Sequence, residues 1–181
     1  MNFSTDTLRG LLSRDGLAAG NRWLVILPNL SGRQKVGGGS IGSYDTNDLN
    51  VLCTSARIPG KQIRTIERVT GIPTQRTAVG YETGDASFSF YLTHNYTVRK
   101  YFQDWMDTVV SRRPPYDVGF FDDYKADILV QQQDKKGSHV YITKLKDCYP
   151  VNIAEIELNN QAQQAALELT VAIAYKDYEV T

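Results

Sequence analysis

A mainly β fold, an antiparallel β-barrel or sandwich with one flanking α-helix, is what this sequence predicts. Leu167, Leu169, Val171, Ile173 and Tyr175 alternate with Glu168, Thr170, Ala172, Ala174 and Lys176. That period of two describes a long strand with one apolar face and one small or polar face. Phe88, Phe90 and Leu92 alternate in the same way with Ser87, Ser89 and Tyr91. Against these strands stands one convincing long helix, in which Val98, Tyr101, Phe102, Trp105 and Val109 recur at helical spacing. A lone amphipathic helix among about eight or nine strands packs as a plug over one side of a sandwich or barrel.

The elements follow in order. Residues 4–15 predict a short helix capped by Ser4 or Thr5, with Leu8, Leu11 and Leu12 on one face and Gly16 ending it. It is too short to stand alone, so it must dock on its own body or on a neighbour. Residues 22–28 are a first strand, apolar on both faces and ended by Pro28. Residues 29–50, with Gly32, Gly37, Gly38, Gly39 and Gly42, read as a flexible loop; a loop that long usually has a function. Residues 51–57 are a second strand, turned by Pro59-Gly60. Residues 61–81 form a long hairpin broken near Gly71-Ile72-Pro73, and 86–93 the next strand. Asn95 or Thr97 can cap the helix, and Pro114-Pro115 forbids its continuation. An aromatic loop spans 116–124. Strands are expected at 126–133, 138–147, 152–158 and 164–176.

With 181 residues the chain reads as a single domain over 1–181, with an N-terminal segment 1–20 and a Gly-rich insertion 29–50. Hydrophobic residues at 41% and charged residues at 22% are ordinary for a globular protein. A formal net charge of zero gives no global attraction to nucleic acid or an anionic membrane. No apolar run is long enough to span a bilayer as a helix. Residues 1–16 lack a basic-then-apolar signal, so a cytoplasmic residence is expected. In that compartment Cys53 and Cys148 are expected as thiols, and the sequons at Asn2, Asn29 and Asn95 stay unused.

Catalytic chemistry is sparse. Gly37-Gly38-Gly39-Ser40-Ile41-Gly42 fits G-x-G-x-x-G by letter, but residues 43–48 do not read as the helix a pyrophosphate site needs. His94 and His139 have no metal-ligand partner on their own elements. Asp122, Asp123 and Asp127 fail the spacing of a calcium loop, and Glu155 with Glu157 read as a polar strand face. No cofactor, metal or catalytic residue is therefore expected, and the chain reads as a building block rather than an enzyme. The segment 57–76 is basic, with Arg57, Lys61, Arg64, Arg68 and Arg76 against Glu67, yet it lacks the aromatics of a nucleic-acid surface. The segment 147–181 is acidic, through Asp147, Glu155, Glu157, Glu168, Asp177 and Glu179. The pair suits either head-to-side contact between identical copies or an internal charge balance.

A resemblance sharpens this reading. The strand opening Asn21-Arg22-Trp23-Leu24-Val25-Ile26, the strand ending Ala56-Arg57-Ile58-Pro59-Gly60, and Phe88-Ser89-Phe90-Tyr91-Leu92 followed by the helix with Arg99, Phe102 and Trp105 come in family order. The closing run Tyr149-Pro150-Val151-Asn152-Ile153-Ala154-Glu155-Ile156-Glu157-Leu158 completes it. Over roughly residues 20–178 the chain resembles the tail tube proteins of contractile-tailed, T-even-like (myovirus) bacteriophages, whose fold recurs in type VI secretion tubes.

The resemblance implies a virion structural protein, assembled in the host cytoplasm. It would form stacked hexameric rings inside a contractile tail sheath and conduct DNA during ejection without sequence-specific binding. Its partners would be itself, the sheath, and the baseplate and tail-terminator proteins. Leu8, Leu11, Leu12, Gly38, Ile41, Tyr44, Arg64, Arg68 and Arg76 are the candidate inter-subunit contacts, with segments 1–20 and 29–50 reaching between rings. Tyr101, Phe102, Trp105 and Val109 are the residues that pack the helix on the core. Two alternatives stand beside this role. Residues 1–20 and 29–50 exceed a minimal tube subunit, which suits a baseplate tube-initiator of the same fold. A small-ligand-binding β-barrel is the competing class, while a hydrolase built on Glu155 or Asp122 lacks a partner group.

Overall fold

The computed structural model describes residues 20–58, 60–68, 75–112, 114, 116–134, 138–156, 158 and 166–181. The strands are β1 (Trp23–Ile26), β2 (Cys53–Arg57), β3 (Lys61–Arg68), β4 (Gln75–Thr83), β5 (Ala86–Tyr91), β6 (Ala126–Gln133), β7 (His139–Ile153), β8 (Glu168–Ala174) and β9 (Asp177–Val180). The helices are α1 (Thr46–Val51), α2 (Thr97–Val109) and α3 (Phe121–Tyr124). The expected helix at 4–15 lies outside the described residues.

A bent ribbon organises the fold. β7 runs antiparallel to β9 over its first half, Lys146 opposite Asp177, and to β8 over its second, Tyr149 opposite Ala174. The bend falls at Asp147, whose φ of +52° is left-handed, a region Asp tolerates better than most residues. β6 and β1 extend the first half, and β5 and β2 extend the second. The result is two antiparallel layers sharing β7, which is how a strand turns a sandwich corner. β1 and β2 end the path without pairing. Among the described residues the fold is thus a sandwich, not a barrel closed by hydrogen bonds.

Side-chain alternation then places the core. Phe88 and Phe90 on β5, and Leu169, Val171 and Ile173 on β8, face inward and are buried. They meet Val98, Tyr101, Phe102 and Trp105 of α2 in one cluster. Phe102 lies 5.3 Å from Phe90 and 5.1 Å from Tyr101, ring centre to ring centre, within the range of favourable tilted and edge-to-face pairs.

Several expectations need correction. β7 is one strand across 138–147 and the start of 152–158, because Pro150 sits where its far side needs no ladder donor. The last expected strand, 164–176, is β8 over Glu168–Ala174, and β9 at Asp177–Val180 is an additional strand that pairs the first half of β7. Neither Asn95 nor Thr97 caps α2; Tyr96 holds that position with φ +53° and no side-chain cap. Residues 46–51 are helical, capped by the Asp45 carboxylate, which accepts from the Asn47 amide at 2.9 Å. α1 is fixed by burial of Leu49 and Asn50, whose Oδ1 accepts from the Leu27 amide at 2.9 Å. β2 accordingly starts at Cys53 rather than at residue 51.

The loop before α1 is docked rather than free. Leu30 and Ile41 are buried, and the Val36 amide donates to the Asp107 carbonyl of α2 at 3.0 Å.

Candidate assembly surfaces

β3 and β4 form an arm. β3 continues the chain direction of β2, and β4 leads into β5 through Gly84 and Asp85, so the arm prolongs the β2–β5 ribbon beyond the sandwich. Every residue of β3 is exposed, including Ile63 and Ile66, as are Val79 and Tyr81 on β4. Such a two-stranded ribbon is marginal in water without a covering partner. Lys61 Nζ sits 4.1 Å from the Tyr81 ring centre. Arg64 pairs with Glu82 at 3.4 Å and Arg76 with Glu67 at 3.1 Å, both at the surface. Arg68 has no ion pair among the described residues. Arg64, Arg68 and Arg76 therefore share one exposed basic arm.

The layer β7–β8–β5–β2 carries a second surface. Its outward residues are mostly small, Ser87, Ser89, Thr170, Ala172 and Ala174, with the aromatic Tyr91 beside Glu168 and Tyr149 opposite Ala174. Ser89 faces Thr170, with their hydroxyl oxygens 3.0 Å apart, and Asn152 faces Ala172. Charge enters only at the margins, through Arg57 and Glu168. Both end strands of this layer, β2 and the second half of β7, have an unpaired edge among the described residues.

A third surface lies past α2. Val110 and Val118 form an isolated antiparallel bridge, supported by Ser111 N–H to Asp117 O at 3.0 Å and Gly119 N–H to Val109 O at 2.8 Å. Phe120 is 83% exposed and Val118 67%. The sequence marked 116–124 only as an aromatic loop. Its separation from Val110 and Val151 hid the fact that all three form one patch.

The other candidate residues fall elsewhere. Ile41 is in the chain's own core. Tyr44 donates to Asp104 Oδ2 at 2.8 Å, and Lys35 donates to Asp104 Oδ1 at 2.6 Å, so both tie the loop to α2. Burial and the Asp104 carboxylate together push the Tyr44 phenol up to about 12. Gly38 is exposed on that loop with φ +102°. Tyr101, Phe102 and Trp105 are fully buried, and Val109 is half-buried at the end of α2. Leu8, Leu11 and Leu12 lie outside the described residues, as do Glu157 and residues 69–74.

Several titratable groups are occupied by structural pairing. Lys125 donates to Asp122 at 2.7 Å and to Asp147 at 3.2 Å, and holds the Asp122 carboxyl below its ordinary range. Lys144 pairs with Asp127 at 2.7 Å; burial opposes the Asp127 charge, but the ammonium and the Asp147 amide outweigh it and keep its pKa low. Lys146 pairs with Glu179. Cys53 and Cys148 are free thiols, both pushed up to about 12 by burial. His94 and His139 are exposed, on a loop and at the start of β7. Among the described residues no helix is long and apolar enough to cross a membrane.

Residues 21–181 match the family model described as phage tail tube protein. No curated protein matches the sequence. Solved structures share the fold at low identity. A chain in the cryo-EM structure of the anti-feeding prophage tube-terminating cap aligns with TM-score 0.61 and 11% identity, over 91% of this chain and 91% of its own length. A chain in the PVC sheath/tube terminator of an extracellular contractile injection system, in the extended state, gives 0.60 and 11%, over 91% and 96%. A chain in the PVC sheath-tube complex gives 0.57 and 10%, over 99% of each chain.

Proposed function

Because this chain belongs to the phage tail tube protein family, we propose that it is the repeating subunit of a tail tube, six copies to a ring, with rings stacked into a conduit inside a contractile sheath. The family assignment makes it a structural protein of the virion tail. The ring, the conduit and assembly in the host cytoplasm are this reading's own additions.

The observation that carries it is the layer β7–β8–β5–β2, with an outward face whose middle is built of small residues and with two edges unpaired among the described residues. An unpaired edge is a template for another strand, and closure of a ring removes it. Pairing β2 of one copy with the second half of β7 of the next makes a continuous inner wall. Ser87, Ser89, Thr170, Ala172 and Ala174 would then face the bore. Hydroxyls and methyls offer a polyanion no fixed cations, whereas tight phosphate binding requires clustered Lys and Arg. DNA would pass such a wall without being held by it. The sandwich interior is filled by Trp105, Tyr101, Phe88, Phe90 and Phe102, which leaves the small-ligand carrier without support.

Negative-stain microscopy of the purified full chain tests the reading. Hexameric rings or hollow filaments are the expected result; a monomer at high concentration with a bound small molecule would overturn it. A baseplate initiator would instead stop at single rings until a baseplate partner is added.

A further inference from the structure

The interior of the sandwich opens at one end of the layer β1–β6–β7. Val25, Val130 and Thr143 lie opposite one another across these strands, and all three are buried. The next row, Trp23, Gln132 and Tyr141, is in the same register and on the same inward face. There Trp23 and Gln132 are only half-buried and Tyr141 is exposed. From the opposite layer Ala56 packs against the core, and Ile58, two residues on, is exposed. These side chains, with Gly20, line a groove of 150 Å³. Apolar lining that continues the core and is left open at its mouth marks an interaction site.

The position of Gly20 identifies the occupant. Residues 1–19 lie outside the described residues and join the chain at the wall of this groove. Their sequence predicts a short helix over 4–15 with Leu8, Leu11 and Leu12 on one face, too short to persist without a surface to cover that face. Residues 16–19 tether it to Gly20, and fully extended they reach about 14 Å. A segment held that close meets its own body at an effective concentration of about millimolar, above that of a second copy in dilute solution. We propose that residues 1–19 fold back on their own chain and seat Leu8, Leu11 and Leu12 over the groove of Trp23, Ile58 and Tyr141. The segment closes the open end of the sandwich, so these leucines complete the chain's own core instead of reaching between rings. The contact uses side chains, which leaves the backbone edge of β2 to a neighbour. It goes beyond the tube-subunit reading and does not depend on it.

Trp23 supplies the readout. It is one of two tryptophans, and the other, Trp105, is fully buried, so acrylamide quenching of the dilute full chain reports on Trp23. Leu8→Ser combined with Leu11→Ser and Leu12→Ser is expected to raise the quenching constant at least twofold and to shift the emission to the red, while thermal melting stays cooperative. Unchanged quenching would overturn the contact. Photocrosslinking identifies the surface directly. Benzoylphenylalanine in place of Leu11, in an equal mixture of heavy-isotope-labelled and unlabelled chains, is expected to link to peptides carrying Trp23, Ile58 or Tyr141 of the same label. Links between chains of different label would put the segment on a second copy, and links elsewhere on its own chain would put it off the groove; either result overturns the proposal. Both readouts are taken before assembly, so their failure leaves the tube-subunit reading standing. A chain that docks its segment but never forms rings would remove that reading and keep this contact.

Discussion

Trp105 on α2 donates its indole Nε1–H to the Tyr124 carbonyl at 2.7 Å, at the end of α3. The same indole is fully buried against the core, 6.3 Å from the Phe102 ring centre in a stacked arrangement. One residue therefore fixes both the depth of α2 and the return of the chain from the exposed ridge into β6. Trp105→Ala should cost about 3–5 kcal/mol, the range for deleting a buried Trp. Trp105→Phe retains most of the apolar volume but orphans the Tyr124 carbonyl, and should cost about 1–3 kcal/mol. Urea denaturation of the two variants separates the packing contribution from the hydrogen bond; equal losses would mean that the bond contributes nothing.

Asp104 holds the 29–45 loop on α2 by accepting from Lys35 and Tyr44 together. Asp104→Ala should cost about 1–3 kcal/mol, as expected when a bonded carboxylate is removed from partly buried partners. The effect should be local. The amides of Val36 and Ile41, bonded to the Asp107 and Arg33 carbonyls, should lose hydrogen-exchange protection while those of β8 keep theirs. Unchanged protection at Val36 and Ile41 would show that Leu30 and Ile41 anchor the loop without the carboxylate.

Much of the sandwich was legible because its pattern is local. The Leu169–Val171–Ile173 alternation gives β8, Phe88 and Phe90 give β5, and the spacing of Val98, Tyr101, Phe102 and Trp105 gives α2. What escaped depends on distant partners. β9 is short and polar, and it is a strand only because it continues beside β7 past the bend. Pro150 reads as a strand break unless its ladder-free edge is known. The loop's glycines outweighed Leu30 and Ile41, whose burial depends on α2 being beneath them. Among the assembly surfaces, the basic charge of the arm was visible in Arg64, Arg68 and Arg76. The apolar patch past α2 was not, because Val110, Val118 and Val151 become neighbours only in the fold.

Gly119 sits where the ridge crosses the end of α2. A Cβ there would lie 2.5 Å from the Thr108 carbonyl oxygen and 3.0 Å from Val36 Cγ2. The oxygen belongs to the helix backbone and has little room to yield. Gly119→Ala should therefore cost about 1–3 kcal/mol by overpacking. Gly84, at the base of the arm, has nothing within 4 Å of its Cβ position. Gly84→Ala is the matched control and should stay within about 0.5 kcal/mol of wild type. Calorimetric melting of both variants checks the contrast, and a neutral Gly119→Ala would mean that the ridge shifts freely on α2.

Alkaline pH should loosen the subunit in an ordered sequence. Burial raises the Cys148 thiol from an ordinary 9.0 to about 12, so the folded state favours the protonated form. Its contribution is complete below about pH 9 and declines as pH rises from there toward 12, because the unfolded chain ionises first. Cys53 follows the same course. Tyr44, raised from 10.0 to about 12, adds a loss that begins a unit higher. Lys125 and Lys144, held above 10.5 by their carboxylate partners, contribute only beyond that. The first fall in stability, between about pH 9 and 10, therefore belongs to the thiols. Urea midpoints measured at half-unit steps should drop over that interval in wild type, and should stay level there in the Cys53→Ala, Cys148→Ala double variant, whose baseline stability is lower. Parallel slopes in the two proteins would assign the alkaline loss to the phenol and the lysine pairs instead.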